Sequence, residues 1–164
     1  MSSEFEIEQS LLGGLMKLTN EESDVASYVL RTLNANSFFH RVHSEIYKAI
    51  KLLAASNKLF DQLSVASYLA KQNDIDIFEV DRCYSYHCDA KLLRQYANTL
   101  KDAALERYAL SKINDLQDLI ANHDNGNITQ RIGLAESVLS GILESVDNRK
   151  SSGLRDGTEI AGEW

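Results

Sequence analysis

The feature that most constrains this chain is the complete absence of proline from its 164 residues. Average usage would give roughly eight prolines in a chain of this length. Proline fixes φ and removes a backbone donor, so a chain without it is suited to long, uninterrupted helices. Between residues 90 and 122 glycine is absent as well. The sequence therefore predicts an all-α fold.

Apolar residues recur at steps of three and four in several short segments of the first half of the chain. These patterns predict five short helices. Four of them cover residues 4–18, 20–33, 62–71 and 77–86, and the one that is third in the chain has its apolar face at Val42, Ile46, Ala49, Ile50 and Leu53 and ends at Asn57. In the fourth of them the residues expected to face inward are Leu63, Ala66, Leu69 and Ala70. Together the helices are predicted to form a small globular bundle over residues 1–88.

The longest predicted helix runs from about Ala90 to Asn122, and a second long helix follows the turn signal NHDNGN. Two long helices joined by a short turn form an antiparallel helical hairpin, here over residues 89–146. Such a hairpin often presents a second apolar stripe to a partner. The residues predicted to form that interface are Leu110, Ile113, Leu116, Ile120, Ile132, Leu139 and Ile142.

The composition changes after Val146. The segment DNRKSSGLRDG is polar and contains glycine, which is typical of a linker. Thr158 then suits the N-cap of a further helix, whose first turn ends at Trp164. We therefore expect a linker and the start of a linker helix over residues 147–164, with Trp164 as a truncation point.

Charge and apolar patterning exclude several classes of protein. The chain carries 17 Lys and Arg against 24 Asp and Glu, a formal charge of -7. Phosphate binding needs clustered basic residues, so broad binding to nucleic acid or to acidic membranes is not expected. No apolar run reaches the length of a membrane span, and the acidic start does not resemble a signal peptide. With two cysteines and no disulfide framework, a cytoplasmic protein without membrane contact is predicted.

The glycine pair Gly13-Gly14 interrupts the apolar stretch EIEQSLLGGLM. A phosphate loop would need the pattern G-x-x-x-x-G-K-[ST], and no Gly-Lys dipeptide occurs anywhere in the chain. Two glycines instead let another helix approach closely, at a cost of about 1 kcal/mol of helix propensity each. We therefore expect Gly13 and Gly14 to lie at a close helix contact.

The stretch CYSYHCD offers Cys83, His87, Cys88 and Asp89 as metal ligands or as parts of an activated thiol site. A zinc site usually needs two ligand pairs, and no second pair follows at suitable spacing. Thiol catalysis would need a base, an orienting group and an oxyanion site, and the sequence displays none of these. Structural cysteines are the favoured interpretation, and a small metal or thiol protein is the alternative.

The stretch HRVHSE places His40, His43 and Glu45 close together but lacks the H-E-x-x-H pattern that puts two zinc ligands on one helical face. Packing or capping histidines are the favoured interpretation. A helix-turn-helix DNA reader over residues 59–86 is also disfavoured, because its recognition segment would carry one arginine against three acids.

Two acid pairs, Asp74 with Asp76 and Asp115 with Asp118, are interpreted as solvated side chains. None of the groups considered above forms a complete set of catalytic residues. The sequence therefore predicts no catalytic, no cofactor-binding and no metal-ligating residue in this chain.

The order of several motifs resembles the N-terminal domain of DnaB-type replicative DNA helicases. The stretch EIEQSLLGGLM resembles the opening of that domain, and LFDQLSVASYL resembles its short linker into a helix. The stretch NSFFHRVHSEIYKAIKLL resembles the next signature, whose positions here are Phe38, Phe39, His43, Ile46, Tyr47 and Ile50. The start of the family's hairpin is matched by Tyr96, Ala97, Lys101 and Arg107, and its second helix by AESVLSGILE.

The resemblance covers about residues 4–146 and implies a non-catalytic collar domain. In the family, hairpins pair between subunits, and three dimers form a ring above the ATPase motors. The outer surface of the collar docks primase and sometimes a helicase loader. ATP, Mg²⁺ and single-stranded DNA are bound in the motor ring, which would begin after Trp164.

Two segments depart from the family pattern. SYHCDAK stands where the family usually has a turn containing Thr-Pro or Ser-Ala before the hairpin, and QNDIDIF replaces the glycine-rich turn that is common after the second bundle helix. Both fit a divergent member of the kind carried by phages or prophages. The alternative is a stand-alone helical adaptor that binds or sequesters replication proteins.

Overall fold

The computed structural model describes residues 3–72 and 75–155, with side chains as far as residue 145. Within these ranges the chain forms α-helices, short 3-10 turns and connecting loops, and no β-strand. The α-helices are α1 (Glu4–Met16), α2 (Ser23–Thr32), α3 (Arg41–Ala55), α4 (Gln62–Leu69), α5 (Phe78–Tyr84), α6 (Ala90–Ala121) and α7 (Ile128–Arg155). The predicted all-α fold class is confirmed.

Local side-chain bonds set where the first helices begin and end. Ser3 and Glu6 form a capping box at the start of α1, in which the Glu6 N–H donates to Ser3 Oγ at 3.3 Å and the Ser3 N–H to Glu6 Oε1 at 3.1 Å. Helix α3 ends where Asn57 takes a left-handed conformation, with φ of 57°. The cap residues in the sequence therefore fix these boundaries.

Helix α1 forms the centre of the first compact unit, which spans residues 1–104. Every residue of α1 from Glu8 to Met16 is buried, which is the pattern of a helix surrounded by others. The fully buried side chains around it include Tyr47, Ile46, Ile50, Leu69, Leu93 and Leu100. Buried side chains of α2 and α5 join them, so the bundle core is built from α1 to α5 and the first part of α6.

Helix α4 buries a different face from the predicted one. Val65 and Leu69, four residues apart, point into the core, whereas Leu63 is 73% exposed and Ala70 is also exposed. At about 100° per residue, Leu63 lies on the far side of the helix from Val65. The inward position predicted for Leu63 and Ala70 is therefore wrong, while the one predicted for Leu69 is correct.

The second compact unit spans residues 105–164, so the two units meet within α6. Helix α7 continues to Arg155, and residues 147–155 of the predicted linker are therefore helical. Serine and a single glycine cost a helix about 1 kcal/mol or less each, and no proline breaks this one. Residues 156–164, with the predicted cap Thr158 and the truncation point Trp164, lie outside the described residues.

Among the helices that the structure describes, none is long and apolar enough to cross a membrane.

Candidate functional site

The connection between α6 and α7 is a compact turn held by side-chain bonds. Asn122 Oδ1 accepts from the Asp124 N–H at 3.0 Å, and Gly126 takes a φ of 105° that favours glycine. Asn127 and Gln130 bond each other's backbone N–H at 2.9 and 2.8 Å, which caps α7. The guanidinium of Arg131 reaches back to the carbonyl of Ile120. The start of α7 is therefore fixed beside the end of α6.

The predicted interface residues divide into two groups in the structure. Leu110, Ile113, Ile120, Ile132 and Leu139 expose between 37% and 57% of their surface. Leu116 is half-buried, and Ile142 is only 9% exposed. Three further large apolar residues, which the prediction did not include, are also exposed: Ile128, Leu134 and Leu143.

Helical periodicity shows how α7 divides its apolar residues. At about 100° per residue, Ile128, Ile132, Leu139 and Leu143 fall within an arc of roughly 60°. All four are exposed, while the adjoining arc holds the buried Ile142 and the half-buried Ala135 and Val138. One edge of the apolar arc is therefore covered within the chain, and the other edge is open.

Helix α6 has the same arrangement over its second half. Leu116 and Leu119 are half-buried, and the exposed Ile113 and Ile120 lie beside them around the helix axis. The direction of rotation from the half-buried residues to the exposed ones is the same on α6 as on α7. Because α6 and α7 run antiparallel, exposed residues that are rotated in the same direction from the covered residues lie on the same side of the hairpin. We name this surface the apolar hairpin face, and its members are Leu110, Ile113, Ile120, Ile128, Ile132, Leu139 and Leu143.

The apolar hairpin face is suited to association. Covering an exposed leucine or isoleucine fully is worth about 1.5–3 kcal/mol. Contiguous apolar surface of this kind marks protein interaction sites in soluble proteins. The single chain leaves it open to solvent.

The bundle contains a second notable group, a buried cluster of ionisable side chains that joins three helices. His43 of α3 lies with Nδ1 at 2.6 Å from Oε1 of Glu8 on α1. Its Nε2 lies at 2.6 Å from Oε2 of Glu79 on α5. Gln9 donates to the same Glu79 oxygen at 2.7 Å, and Arg82 donates to the other one at 2.8 Å. We name Glu8, His43 and Glu79 the buried triad.

The carboxylates of the buried triad are held ionised. Burial by itself would raise the pKa of Glu8, but hydrogen bonds from His43, from the Phe39 N–H at 2.6 Å and from His40 lower it overall. Burial likewise opposes ionisation of Glu79, and the bonds from His43, Arg82 and Gln9 lower its pKa.

Among the described residues, those of the buried triad also belong to two groups of side chains that could in principle hold a metal ion. Glu8, His40 and His43 bring three donor atoms together, and so do His43, Glu79 and Cys83. However, the imidazole nitrogens are 2.6 Å from the carboxylate oxygens, which are hydrogen-bond distances. Ligands about 2.0–2.2 Å from a tetrahedral zinc ion lie further apart than that. The arrangement is a satisfied hydrogen-bond network rather than a preformed metal site.

The model for the DnaB-like helicase N-terminal domain matches residues 1–109 of the chain, about two thirds of its length. The chain belongs to this family.

Two further similarities agree with the family. The replicative DNA helicase DnaB of Rickettsia bellii (strain RML369-C) is 25% identical over 170 residues, covering 92% of this chain and 30% of the relative. The chain thus spans less than a third of that relative's length. The crystal structure of the N-terminal domain of DnaB helicase from Mycobacterium tuberculosis superposes with a TM-score of 0.70 at 20% identity, covering 83% of this chain and 96% of that one. The latter similarity supports the fold.

In this DnaB-like domain the glycine pair lies against backbone and side chains of other elements. A Cβ on Gly13 would come within 1.9 Å of the Cys83 carbonyl oxygen, so α5 could not hold its present position. A Cβ on Gly14 would meet Leu93 Cδ1 at 2.8 Å and Cys88 Cβ at 3.0 Å. The pair therefore gives α5 and the start of α6 access to the surface of α1.

The residues of CYSYHCD take separate structural positions. Cys83 is buried, and burial followed by the charge of Glu79 raises the pKa of its thiol. Cys88 is half-buried, and burial raises its pKa to about 11. His87 is exposed, and Asp89 Oδ1 accepts from the Leu92 N–H at 2.8 Å at the start of α6. Neither thiol has the lowered pKa of a nucleophilic cysteine.

The remaining polar residues considered as candidate site residues lie at a helix cap or in ion pairs. His40 lies at the N-cap position of α3 with Nδ1 at 3.0 Å from Glu8, and Glu45 pairs with Lys48 at 2.9 Å on the surface. Asp76 bonds Arg82 at 3.1 Å, and Asp115 lies 3.6 Å from Lys112.

The buried positions of Glu8 and Glu79 were not predicted from the sequence. A signal for Glu8 was present, because it precedes Leu11, Leu12 and Leu15 at the three-, four- and seven-residue steps of one helical face. A carboxylate on the buried face of a helix needs a partner, and His43 occupies the same kind of position on α3. The pairing itself joins residues 35 and 36 positions apart and had no sequence signal.

Proposed function

We propose that this domain is the N-terminal collar of a hexameric replicative DNA helicase and serves subunit assembly and partner docking. The observation that carries the proposal is the apolar hairpin face, which is exposed on both long helices. Membership of the DnaB-like N-terminal domain family supports the same role. A second copy of the chain is the proposed occupant of the face, since identical hairpins offer identical apolar surfaces.

The assembly step can be tested by measuring molar mass over a wide range of concentrations with multi-angle light scattering. Wild-type chain should form a dimer or a higher oligomer. Ile132→Glu and Leu139→Glu place a charge on the apolar hairpin face and should shift the protein toward monomer while the helix content stays the same. The matched control is Ser137→Glu, which adds the same charge on the opposite, exposed side of α7.

Two outcomes of that experiment would contradict the assembly role. One is a wild-type chain that stays monomeric at high concentration, and the other is unchanged association in both charged variants. Leu116→Glu gives a separate readout, because Leu116 is half-buried within the chain. That variant should disturb the hairpin itself and lower its helix content.

The docking role concerns the outer surface of the collar, with primase as the first partner and a helicase loader as the second. Titration of the 164-residue chain with purified primase from the same source, followed by calorimetry, tests it. Saturable binding supports the collar function. Absence of binding by an oligomer of the expected mass would restrict the proposal to assembly. Binding by a strictly monomeric chain would favour a stand-alone adaptor.

ATP hydrolysis with Mg²⁺ and translocation on single-stranded DNA are proposed for a motor domain outside this sequence, in the cytoplasm. Reading the source gene beyond the Trp164 codon tests this. A G-x-x-x-x-G-K-[ST] loop downstream supports a motor in the same polypeptide. A stop codon immediately after Trp164 would contradict it.

A further inference from the structure

The buried triad has a geometry that fixes where its protons lie. Ionised carboxylates can only accept hydrogen bonds, and both Glu8 and Glu79 face His43 at 2.6 Å. A neutral imidazole has only one N–H, so its other nitrogen would place a lone pair against a carboxylate. Both contacts are satisfied together only when both ring nitrogens carry a proton. The two contacts together therefore fit an imidazolium at His43.

The surroundings of His43 balance that charge. From α1 it meets Glu8 and the ring of Phe5, whose centroid is 4.7 Å from the imidazole. Ahead of α3, the ring of His40 lies 5.6 Å from that of His43 and also faces Glu8.

Helix α5 completes this environment. Its Glu79 bonds His43 and also accepts from Arg82, which is bonded to Asp76 in turn. The buried Cys83 thiol lies 3.9 Å from the same Glu79 carboxylate. Glu8, His43, Glu79, Arg82 and Asp76 thus form a chain in which acidic and basic groups alternate.

We propose that the proton on His43 acts as a clasp that holds α1, α3 and α5 together, so that its loss loosens α5. Helix α5 has seven residues, too few to be stable as an isolated helix. Without the second proton, one carboxylate of the pair would lose its donor while remaining buried, and such a group is strongly unfavourable. The element that depends on it most is α5, because Glu79 lies on that helix.

The expected pH dependence has two limbs. Without the His43 proton one buried carboxylate would lack its donor, so the proposal predicts that the fold loses stability when that proton is removed at alkaline pH. Glu8 and Glu79 have a lowered pKa in the fold, so their contribution is present above the ordinary carboxyl value of 4.5 and is lost as the pH falls below it. The contacts of the buried triad are therefore expected to be intact in the pH range between the alkaline and the acidic loss of stability.

The protonation of His43 can be observed directly by NMR of the imidazole nitrogens in ¹⁵N-histidine-labelled protein. At neutral pH both nitrogens of His43 should give the matched shifts of an imidazolium. The exposed His87 and His123 serve as internal references in the same spectrum. A neutral tautomer at His43 at that pH would overturn the proposal.

Thermal unfolding between acidic and alkaline pH tests the consequence. Wild-type protein and the control variant His87→Gln should lose stability toward alkaline pH. His43→Gln should lack that alkaline loss and should melt about 10 °C lower near neutral pH. An alkaline limb that is unchanged in His43→Gln would contradict the clasp.

A second variant keeps the test decisive if His43→Gln does not fold. Glu79→Gln preserves the side-chain shape and removes one of the two charges that hold the proton. The alkaline loss of stability should then begin at a lower pH than in the wild-type protein, because one of the two opposite charges in contact with the imidazole has been removed. Hydrogen exchange at fixed pH should also show faster exchange in α5 relative to α3. An unmoved alkaline limb in this variant would also count against the proposal.

Discussion

The bundle unit buries charge, whereas the hairpin unit exposes apolar side chains. In the bundle, Glu8 and His43 are fully buried, and the hydrogen bonds of the buried triad satisfy them within one chain. In the hairpin, the apolar hairpin face keeps between 37% and 59% of each side chain's surface exposed. A buried polar group is tolerable only when its partners are present, and the buried triad finds its partners within a single copy of the chain. Under the proposed assembly role, the hairpin would gain stability when a second copy covers its exposed apolar residues.

The largest effect is expected when one charged side chain is removed from the bundle core, which tests whether the bundle depends on its buried charges. Glu8→Ala leaves the Phe39 N–H and Nδ1 of His43 without their buried carboxylate partner, which should cost about 3–5 kcal/mol of unfolding free energy. Urea denaturation measures it. Glu45→Ala is the matched control, because Glu45 is paired with Lys48 at the surface, and it should cost less than about 0.5 kcal/mol. Equal effects would show that the buried triad is not a structural centre.

The next prediction compares glycines in the two units. Gly13→Ala places a methyl group against the Cys83 carbonyl and should destabilise the bundle by about 3 kcal/mol, since backbone must move. Gly141→Ala has open space around the new methyl group and should stabilise α7 by about 0.5–1 kcal/mol. Chemical denaturation of both variants measures the change in unfolding free energy, which should have opposite signs in the two. A tolerated Gly13→Ala would mean that α5 does not need its close approach to α1.

Within the hairpin, neighbouring residues separate internal packing from association. Ile142→Ala should cost about 2–3 kcal/mol at every protein concentration, because Ile142 is buried within the chain. Leu143→Ala should leave the monomer nearly unchanged and weaken association, because Leu143 belongs to the apolar hairpin face. Unfolding measured at low and high concentration distinguishes the two effects. A concentration-independent loss in Leu143→Ala would place that residue inside the hairpin.

The smallest effect concerns the turn that aligns the hairpin helices. Asn122→Ala removes the side-chain acceptor for the Asp124 N–H and should cost about 1 kcal/mol. The control is Asn114→Ala on the exposed surface of α6, where no such capping contact exists among the described hydrogen bonds and the change should be near neutral. Thermal unfolding followed by circular dichroism measures both. Equal melting temperatures would show that other bonds of the turn suffice.

Much of the fold could be predicted because its signals are local. The absence of proline, the steps of three and four, and the turn NHDNGN predicted helices close to α1, α2, α3, α6 and α7. The end of α7 was less predictable, since serine and one glycine weaken a helix without ending it. The inward face of α4 was misassigned because an eight-residue helix with apolar residues around it leaves its orientation to its neighbours.

The sequence by itself determined the helical class, the two long helices and the family, because these depend on backbone preferences and on the order of short motifs. Only the tertiary structure decided which residues meet. Glu8, His43 and Glu79 come from three separate helices, and no periodicity encodes contacts across 35 or more residues. It also decided which edge of the α7 apolar arc is covered, since periodicity gives the width of a face but not the position of the neighbouring helix.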